Sequence, residues 1–270
     1  MSYPVRLPSD APVVTVTQPS PYQWVLELHN GADNRLGERV LREGLGPALD
    51  LIERDWREST AKLRKAKDEK AGAGSLIITG QQEKFFSNGF ELEDIQIPWF
   101  IRAYYNPIII RLLSFPIPVV AALNGHTFAA GFCLAMACDY RVMKSQKAWA
   151  SMNEIHFGAP LPRGFVKLFN EKAANANLVR KVFLEGHRFT AQELIKEGLI
   201  DEVVEGDATK VREAAQALGN KLAPLSRTGV YGLQKEEIYR AIIQSAEERP
   251  MQVLLPEDHA RFVDAQRAKL

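Results

Sequence analysis

The chain has 270 residues, 46% of them hydrophobic, which is enough to bury one sizeable core with a helical extension. Its 34 basic and 33 acidic residues leave a net charge of +1, so no bulk charge draws it to nucleic acid or to a membrane surface. The two cysteines, Cys133 and Cys138, fall in one apolar segment and project in different directions on a helix; this excludes a disulfide or a metal pair between them and fits a reducing compartment.

The opening Met1-Ser2-Tyr3-Pro4 lacks the charged and apolar regions of a secretory signal. Residues 12–17 and 22–28 are β-rich runs around Pro19-Ser20-Pro21 and predict a hairpin, followed by a loop over 29–34. Val40, Leu41, Leu45, Leu49 and Ile52 recur at helical spacing and predict a helix over 38–56. Residues 62–74 are charged, then glycine-rich, and read as an exposed connection; residues 75–79 read as a short buried strand. Residues 80–92 (GQQEKFFSNGFEL) follow that strand and hold Ser87-Asn88-Gly89, a turn signal leading toward a helix over 98–114 with a break at Pro107. The longest apolar region, 108–123, is interrupted by Arg111, Pro116 and Pro118, so no membrane span is expected.

Residues 118–123 are an apolar run rich in Val and Ala, read as a buried strand, and Asn124-Gly125 ends it with a turn. Residues 128–138 are small and apolar and predict a buried helix. A strand that turns into a helix aims unpaired main-chain N–H groups and a positive dipole end at one spot. Ala129, Ala130 and Gly131 let a ligand approach that main chain closely. Neither GxGxxG nor GxxxxGK[ST] is present, which argues against a nucleotide-phosphate loop. Two readings stay open from pattern alone: a unit that only fills the core, or an oxyanion hole made of main-chain donors.

Short strands are predicted over 140–143 and 148–152, then helices over 166–170, 177–185, 190–198 and 208–223, with a strand over 199–204. Thr190 and Glu193 have capping-box spacing, and Gly198 suits the residue after a helix end. Helical residues 226–249 and 256–268 complete the chain. Strands alternating with helices, then helices alone, give an α/β core with a C-terminal helical part. The last residues, Ala268-Lys269-Leu270, are a conservative variant of the Ser-Lys-Leu peroxisomal address.

FFSNGFEL (85–92) and PVVAALNGHTFAAGFCLAMACDYRV (118–142) together resemble the two signature turns of the crotonase (enoyl-CoA hydratase/isomerase) superfamily. SMNEIHFGAPLP and RFTAQELIKEGLIDEVV are similar to its later segments, so the resemblance runs from about Val13 to Leu255, with NG-x5-G-x6-CD the specific part. It implies an α/β fold: a spiral of ββα turns over 1–200 carrying a CoA-thioester site, and a helical region over 201–270 that builds a homotrimer or hexamer. It also implies an acyl-CoA substrate held as an enolate by two main-chain N–H groups, here those of Phe90, after Gly89, and Ala130. The family usually has a small residue where this chain has Phe90.

The family's hydratases use two glutamates. One of those positions is Glu154 here; the other, inside the helix after the second turn, is Cys133. The aspartate of dienoyl isomerases falls at Pro162. A single carboxylate is what a 1,3-proton shift requires, and Ile155, Phe157 and Leu161 are expected to wall Glu154 and raise its pKa. Met-x-Glu followed by Gly-x-Pro-Leu-Pro resembles peroxisomal Δ3,Δ2-enoyl-CoA isomerases, those of plants included. The resemblance places CoA along Phe86, Ser87, Asn88 and Gly89, with Arg35 toward its phosphates. Phe100, Ile101, Tyr104 and His126 are candidates for the acyl pocket. His156 is a weaker candidate base, and Cys133 is a poor nucleophile because an apolar helix raises a thiol pKa. No metal and no cofactor beyond the thioester substrate is implied. The expected activity is isomerisation of 3-enoyl-CoA in the peroxisomal matrix, reached through an import receptor that reads Ala268-Lys269-Leu270. A hydratase or other acyl-CoA enzyme, and an acyl-CoA-binding protein without turnover, are the alternatives.

Overall fold

The computed structural model describes residues 2–97 and 99–247, together with 259, 260, 263, 264 and 267. Pro98, most of the expected helix 256–268 and Ala268-Lys269-Leu270 lie outside the described residues. The predicted hairpin forms from β2 (Val14–Ser20) and β3 (Gln23–Leu28), in the register Val14↔Leu28, with an irregularity between Thr17 and Ser20. A strand absent from the sequence reading, β1 (Val5–Leu7), pairs antiparallel with β2. The next helix is longer than its apolar repeat suggests: a π-helical stretch over Val40–Leu45 passes into α1 (Gly46–Lys65). Buried Trp56 and Thr60 anchor the extra turns, and Lys62, Arg64 and Lys65 complement the negative end of the helix dipole.

Three similar turns of chain follow. Strand β4 (Ser75–Gly80) leads to β5 (Phe85–Ser87) and, after a π-helical stretch over Ile101–Tyr105, to α2 (Asn106–Leu113). Strand β6 (Val119–Leu123) leads to β7 (His126–Phe128) and α3 (Ala130–Ala137). Strand β8 (Tyr140–Lys144) leads to β9 (Trp149–Ser151) and, through a 3-10 turn over Glu154–His156, to α4 (Arg163–Lys172). Each turn places its first strand in a large sheet and its second in a small one, and ends in a helix. This is the ββα spiral the resemblance implies. Phe128, expected in the helix, belongs to β7, because Thr127 and Phe128 pair with Ala150 and Ser151.

Beyond α4 come α5 (Ala176–Phe183), β10 (Phe189–Thr190), α6 (Ala191–Lys196), β11 (Glu202–Val204), α7 (Ala208–Leu222), α8 (Tyr231–Ile238) and α9 (Arg240–Glu247). Thr190 and Glu193 form the expected capping box on α6. The large sheet runs β1-β2-β3-β4-β6-β8-β11, parallel from β3 onward; the small sheet runs β10-β9-β7-β5. Strands β4 and β6 are buried at every residue, which is why they read as unbroken apolar runs. The single helix expected over 226–249 is two helices that break at Tyr239. The break lets α9 bury Ile242 and Ala246, with Ala246 closing on Gly164 at the start of α4.

The Cys138-Asp139 pair ties this helical part to the spiral. Asp139 accepts the Val119 N–H at 2.9 Å and holds the Lys235 ammonium of α8 at 2.8 Å, with both side chains nearly sealed from solvent (7% and 6% exposed). Lys235 also donates to the Leu112 carbonyl at 2.7 Å. Removing one member of a sealed ion pair strands the other charge. Asp139→Ala should therefore lower the unfolding free energy by about 3–5 kcal/mol in urea titrations, and the Asp139→Asn/Lys235→Met double variant should recover much of the loss. Equal stability of Asp139→Ala and the parent would contradict this assignment.

Candidate active site

Phe90, Ala130 and Glu154 follow the small-sheet strands β5, β7 and β9, each reached by a loop from the carboxyl end of a large-sheet strand, and the loop after β3 bonds to the first of these turns. Two fully buried amides hold these loops in shape. Asn34 donates to the Leu28 carbonyl at 3.0 Å and accepts the Asn30 N–H at 2.8 Å. Asn124 accepts the Gly80 N–H at 3.0 Å and donates to the Gln82 carbonyl at 2.5 Å. In sequence Asn124 is only a turn signal; here its amide spans from the second turn to the first.

Those turns then meet. Gly89 has φ +85°, and a Cβ on it would lie 2.9 Å from Ala129 Cβ and 3.6 Å from the Ala130 nitrogen. A Cβ on Gly131 would lie 2.7 Å from both Ser87 Cβ and the Ser87 carbonyl oxygen. Side chains at either glycine would wedge the turns apart. Ala129 itself sits at φ 52°, a conformation costly for a residue with a Cβ. Its N–H donates to the Ser151 carbonyl at 2.8 Å, and its carbonyl accepts from Phe132 at 2.9 Å and Cys133 at 3.2 Å, so three hydrogen bonds hold it there.

The residues expected as donors, Phe90 and Ala130, come directly after Gly89 and Ala129 in this contact. Leu36 N–H donates to the Gly89 carbonyl at 2.8 Å in a parallel bridge between Leu36 and Phe90, which turns the N–H and C=O of Phe90 away from Leu36. Arg35 donates to that C=O at 2.8 Å. Ala130 is the first residue of α3, so its N–H has no acceptor within the helix. The Tyr105 hydroxyl, fully buried, donates to the Ala130 carbonyl at 2.5 Å and steadies that residue.

Glu154 is 9% exposed, and its Oε2 has no hydrogen-bond partner among the described residues. Burial pushes its pKa up to about 7. The wall differs from the expected one, since Ile155 and Phe157 are half or more exposed at 50% and 59%. Glu154 is in turn, after burial, among the causes that push up the Tyr105 hydroxyl and the Cys133 thiol. Cys133 lies 3.7 Å from the Met152 sulfur, an apolar setting that agrees with its reading as a poor nucleophile.

Other expected site residues are placed as follows. The side chains of Phe86 and Ser87 are fully buried, so only their main chain can face a ligand. Asn88 is spent on Asp33, donating from its main chain to the Asp33 carbonyl at 3.0 Å and from its amide to the carboxylate at 3.1 Å. Arg35, besides holding the Phe90 carbonyl, lies 3.5 Å from the Asp33 carboxylate, so it braces the first turn. Phe100 packs edge-on to Phe90 with ring centroids 5.2 Å apart, and Ile101 and Tyr104 are half-buried against the core. His126 stacks between Trp149 (4.8 Å) and Phe128 (5.4 Å) on the small sheet and accepts the Trp149 N–H at 3.3 Å, away from that cluster. His156 is engaged with the Gly186 carbonyl at 3.3 Å. Sequence reasoning missed Tyr105. The π-helical stretch Ile101–Tyr105 adds a residue to its turn and brings Tyr105, not Tyr104, fully inside.

The enoyl-CoA hydratase/isomerase family profile matches residues 52–252. Enoyl-CoA delta isomerase 3 of Arabidopsis thaliana is 32% identical over 187 residues, spanning 66% of this chain and 78% of the relative. The plant's enoyl-CoA delta isomerase 2, named as peroxisomal, is 32% identical over 188 residues with the same coverage. The crystal structure of human mitochondrial delta3-delta2-enoyl-CoA isomerase superposes with a TM-score of 0.64 at 21% identity, over 86% of this chain and 85% of that one, a likeness of fold.

The raised pKa of Glu154 has a consequence for stability. The native state keeps a proton that the unfolded chain, titrating near 4.3, releases, so this group's contribution falls as pH rises from about 4.3 to about 7. Glu154→Gln removes the cost of burying charge. Urea titrations should find it more stable than the parent by about 3–4 kcal/mol at pH 8 and nearly equal at pH 4. The same difference at both pH values would contradict a buried, raised carboxyl.

Proposed function

The chain belongs to the enoyl-CoA hydratase/isomerase family, and on that premise we propose that it is a Δ3,Δ2-enoyl-CoA isomerase that works with one carboxylate. The observation that carries this reading is Glu154, a buried carboxyl with an unengaged oxygen, in a site whose other expected glutamate position is Cys133. Glu154 takes the proton from C2 of a 3-enoyl-CoA. The electrons move into the thioester carbonyl, and the resulting dienolate oxygen is held by the N–H groups of Phe90 and Ala130. Protonated Glu154 returns the proton at C4, leaving the double bond between C2 and C3. A pKa near 7 suits one group to both steps, because it is neither too weak a base nor too weak an acid. Two preorganised donors in a dry pocket contribute several kcal/mol; removal of one comparable donor costs about 3–4 kcal/mol. Hydration would call for a second group to orient water, and the Cys133 thiol, pushed well up, supplies none.

In this reading the CoA thioester is the substrate and no cofactor is needed. CoA lies along the first turn at Phe86, Ser87, Asn88 and Gly89, near Arg35. The helical region 201–270 serves assembly into a trimer or hexamer, which exposed Leu225, Val230, Leu233 and Ile238 support. Two of the plant relatives are named peroxisomal, and the Ala268-Lys269-Leu270 sequence suits the same import route, which supports action in the peroxisomal matrix within fatty-acid β-oxidation.

Purified protein mixed with a 3-enoyl-CoA should develop the ultraviolet absorbance of the conjugated thioester. The rate should fall by about 10²–10⁴-fold in Glu154→Gln, while 2-enoyl-CoA is hydrated slowly by the parent. In the parent, kcat/KM should rise with pH and level off above an apparent pKa near 7. An unimpaired Glu154→Gln variant, or hydration as fast as conjugation, would contradict the proposal. Binding of acyl-CoA without any turnover would favour a carrier role instead.

A further inference from the structure

Phe90 contributes more than a main-chain donor. Its ring meets Tyr105 edge-on at 4.8 Å between centroids and Phe100 edge-on at 5.2 Å, and lies tilted over Phe165 at 6.2 Å. Tyr105 and Phe165 are themselves 5.3 Å apart. Rings at these separations are in van der Waals contact. A polymethylene chain, needing about 3.5–4 Å to carbon neighbours on each side, has no path between them.

The cluster stands at the reacting centre. Phe90 holds one oxyanion donor on its own main chain, and Tyr105 bonds the residue that carries the other. The rings come from separate elements: the first turn, the helix over 100–113 and α4. Tyr105, Phe100 and Phe165 are 0%, 2% and 4% exposed, so their positions are fixed by packing, and only Phe90 is half-buried and able to present a face to a ligand.

We propose that Phe90, backed by Phe100, Tyr105 and Phe165, is a specificity-determining residue that closes the space behind the oxyanion donors and makes short-chain 3-enoyl-CoA the preferred substrate. The proposal rests on the isomerase reading for its reaction and on ring packing for its selectivity. Close-packed interiors admit added methylenes only by displacing side chains. A misfit of one methylene in such a pocket changes kcat/KM by about tenfold or more.

Conjugation of 3-hexenoyl-CoA and 3-dodecenoyl-CoA would be compared in the parent, Phe90→Leu and Phe90→Ala, with calorimetric binding of the unreactive hexanoyl-CoA and dodecanoyl-CoA alongside. The parent should favour the hexenoyl substrate by about tenfold or more in kcat/KM, and both variants should narrow or reverse that ratio. Phe90→Leu keeps an apolar side chain in the cluster, so the test survives if the alanine variant does not fold. The proposal is overturned if the parent uses the dodecenoyl substrate equally well, or if the ratio is the same in both variants. Length-selective binding that the variants relax, with no conjugation at either length, would remove the isomerase reading and uphold the role of Phe90.

Discussion

The contact between Gly89 and Ala129, with that between Gly131 and Ser87 beside it, sets the geometry of the site. Two main-chain turns from different parts of the spiral approach until a single added Cβ on either glycine would fall 2.7–2.9 Å from its neighbour. In the proposed mechanism that approach lets the N–H of Phe90 and the N–H of Ala130 serve one oxygen atom. Much of the surrounding structure maintains it. Asn124 and Asn34 fix the loops on either side, Arg35 holds the Phe90 carbonyl, and three hydrogen bonds keep Ala129 at a positive φ. Preorganised donors lose little energy in reorganising when charge develops on the substrate, which is the source of their catalytic effect.

The same packing determines the acid–base chemistry. Glu154 has little solvent and one unengaged oxygen, so its charged form is disfavoured and its pKa moves toward neutrality. Had the family's second glutamate stood in place of Cys133, two carboxyls would have shared this pocket, and one would have been available to hold water. With a thiol pushed well up in that place, the proton inventory reduces to one group. The cost of leaving a carboxyl unsatisfied is offset by the rest of the fold.

Much of this was legible in the sequence because it rests on local patterns. The buried runs of β4 and β6, the turn glycines and the capping box at Thr190 and Glu193 follow from periodicity and turn chemistry. The resemblance then assigned Phe90, Ala130 and Glu154. What stayed hidden depends on contacts between distant segments. The short strands β5 and β7 exist because they pair with each other, so His126 and Phe128 lie in a sheet rather than a loop and helix. The π-helical stretch before α2 rotates Tyr105 inward, which spacing counted at 3.6 residues per turn cannot show. Arg35, assigned to CoA phosphates for its charge, is held by Asp33 and the Phe90 carbonyl, a partnership invisible without the fold.

The central claim, that one buried carboxyl both removes and returns the proton, is tested most directly by isotope transfer. A 3-enoyl-CoA deuterated at C2 would be converted in ordinary water and the product analysed by mass spectrometry and NMR. If Glu154 carries the same proton across the dienolate in a site closed to water, a measurable part of the label should appear at C4. Complete loss of label to solvent from the first turnover, with C4 gaining only solvent hydrogen, would show that a second group or a water molecule delivers the proton and would contradict the single-base account.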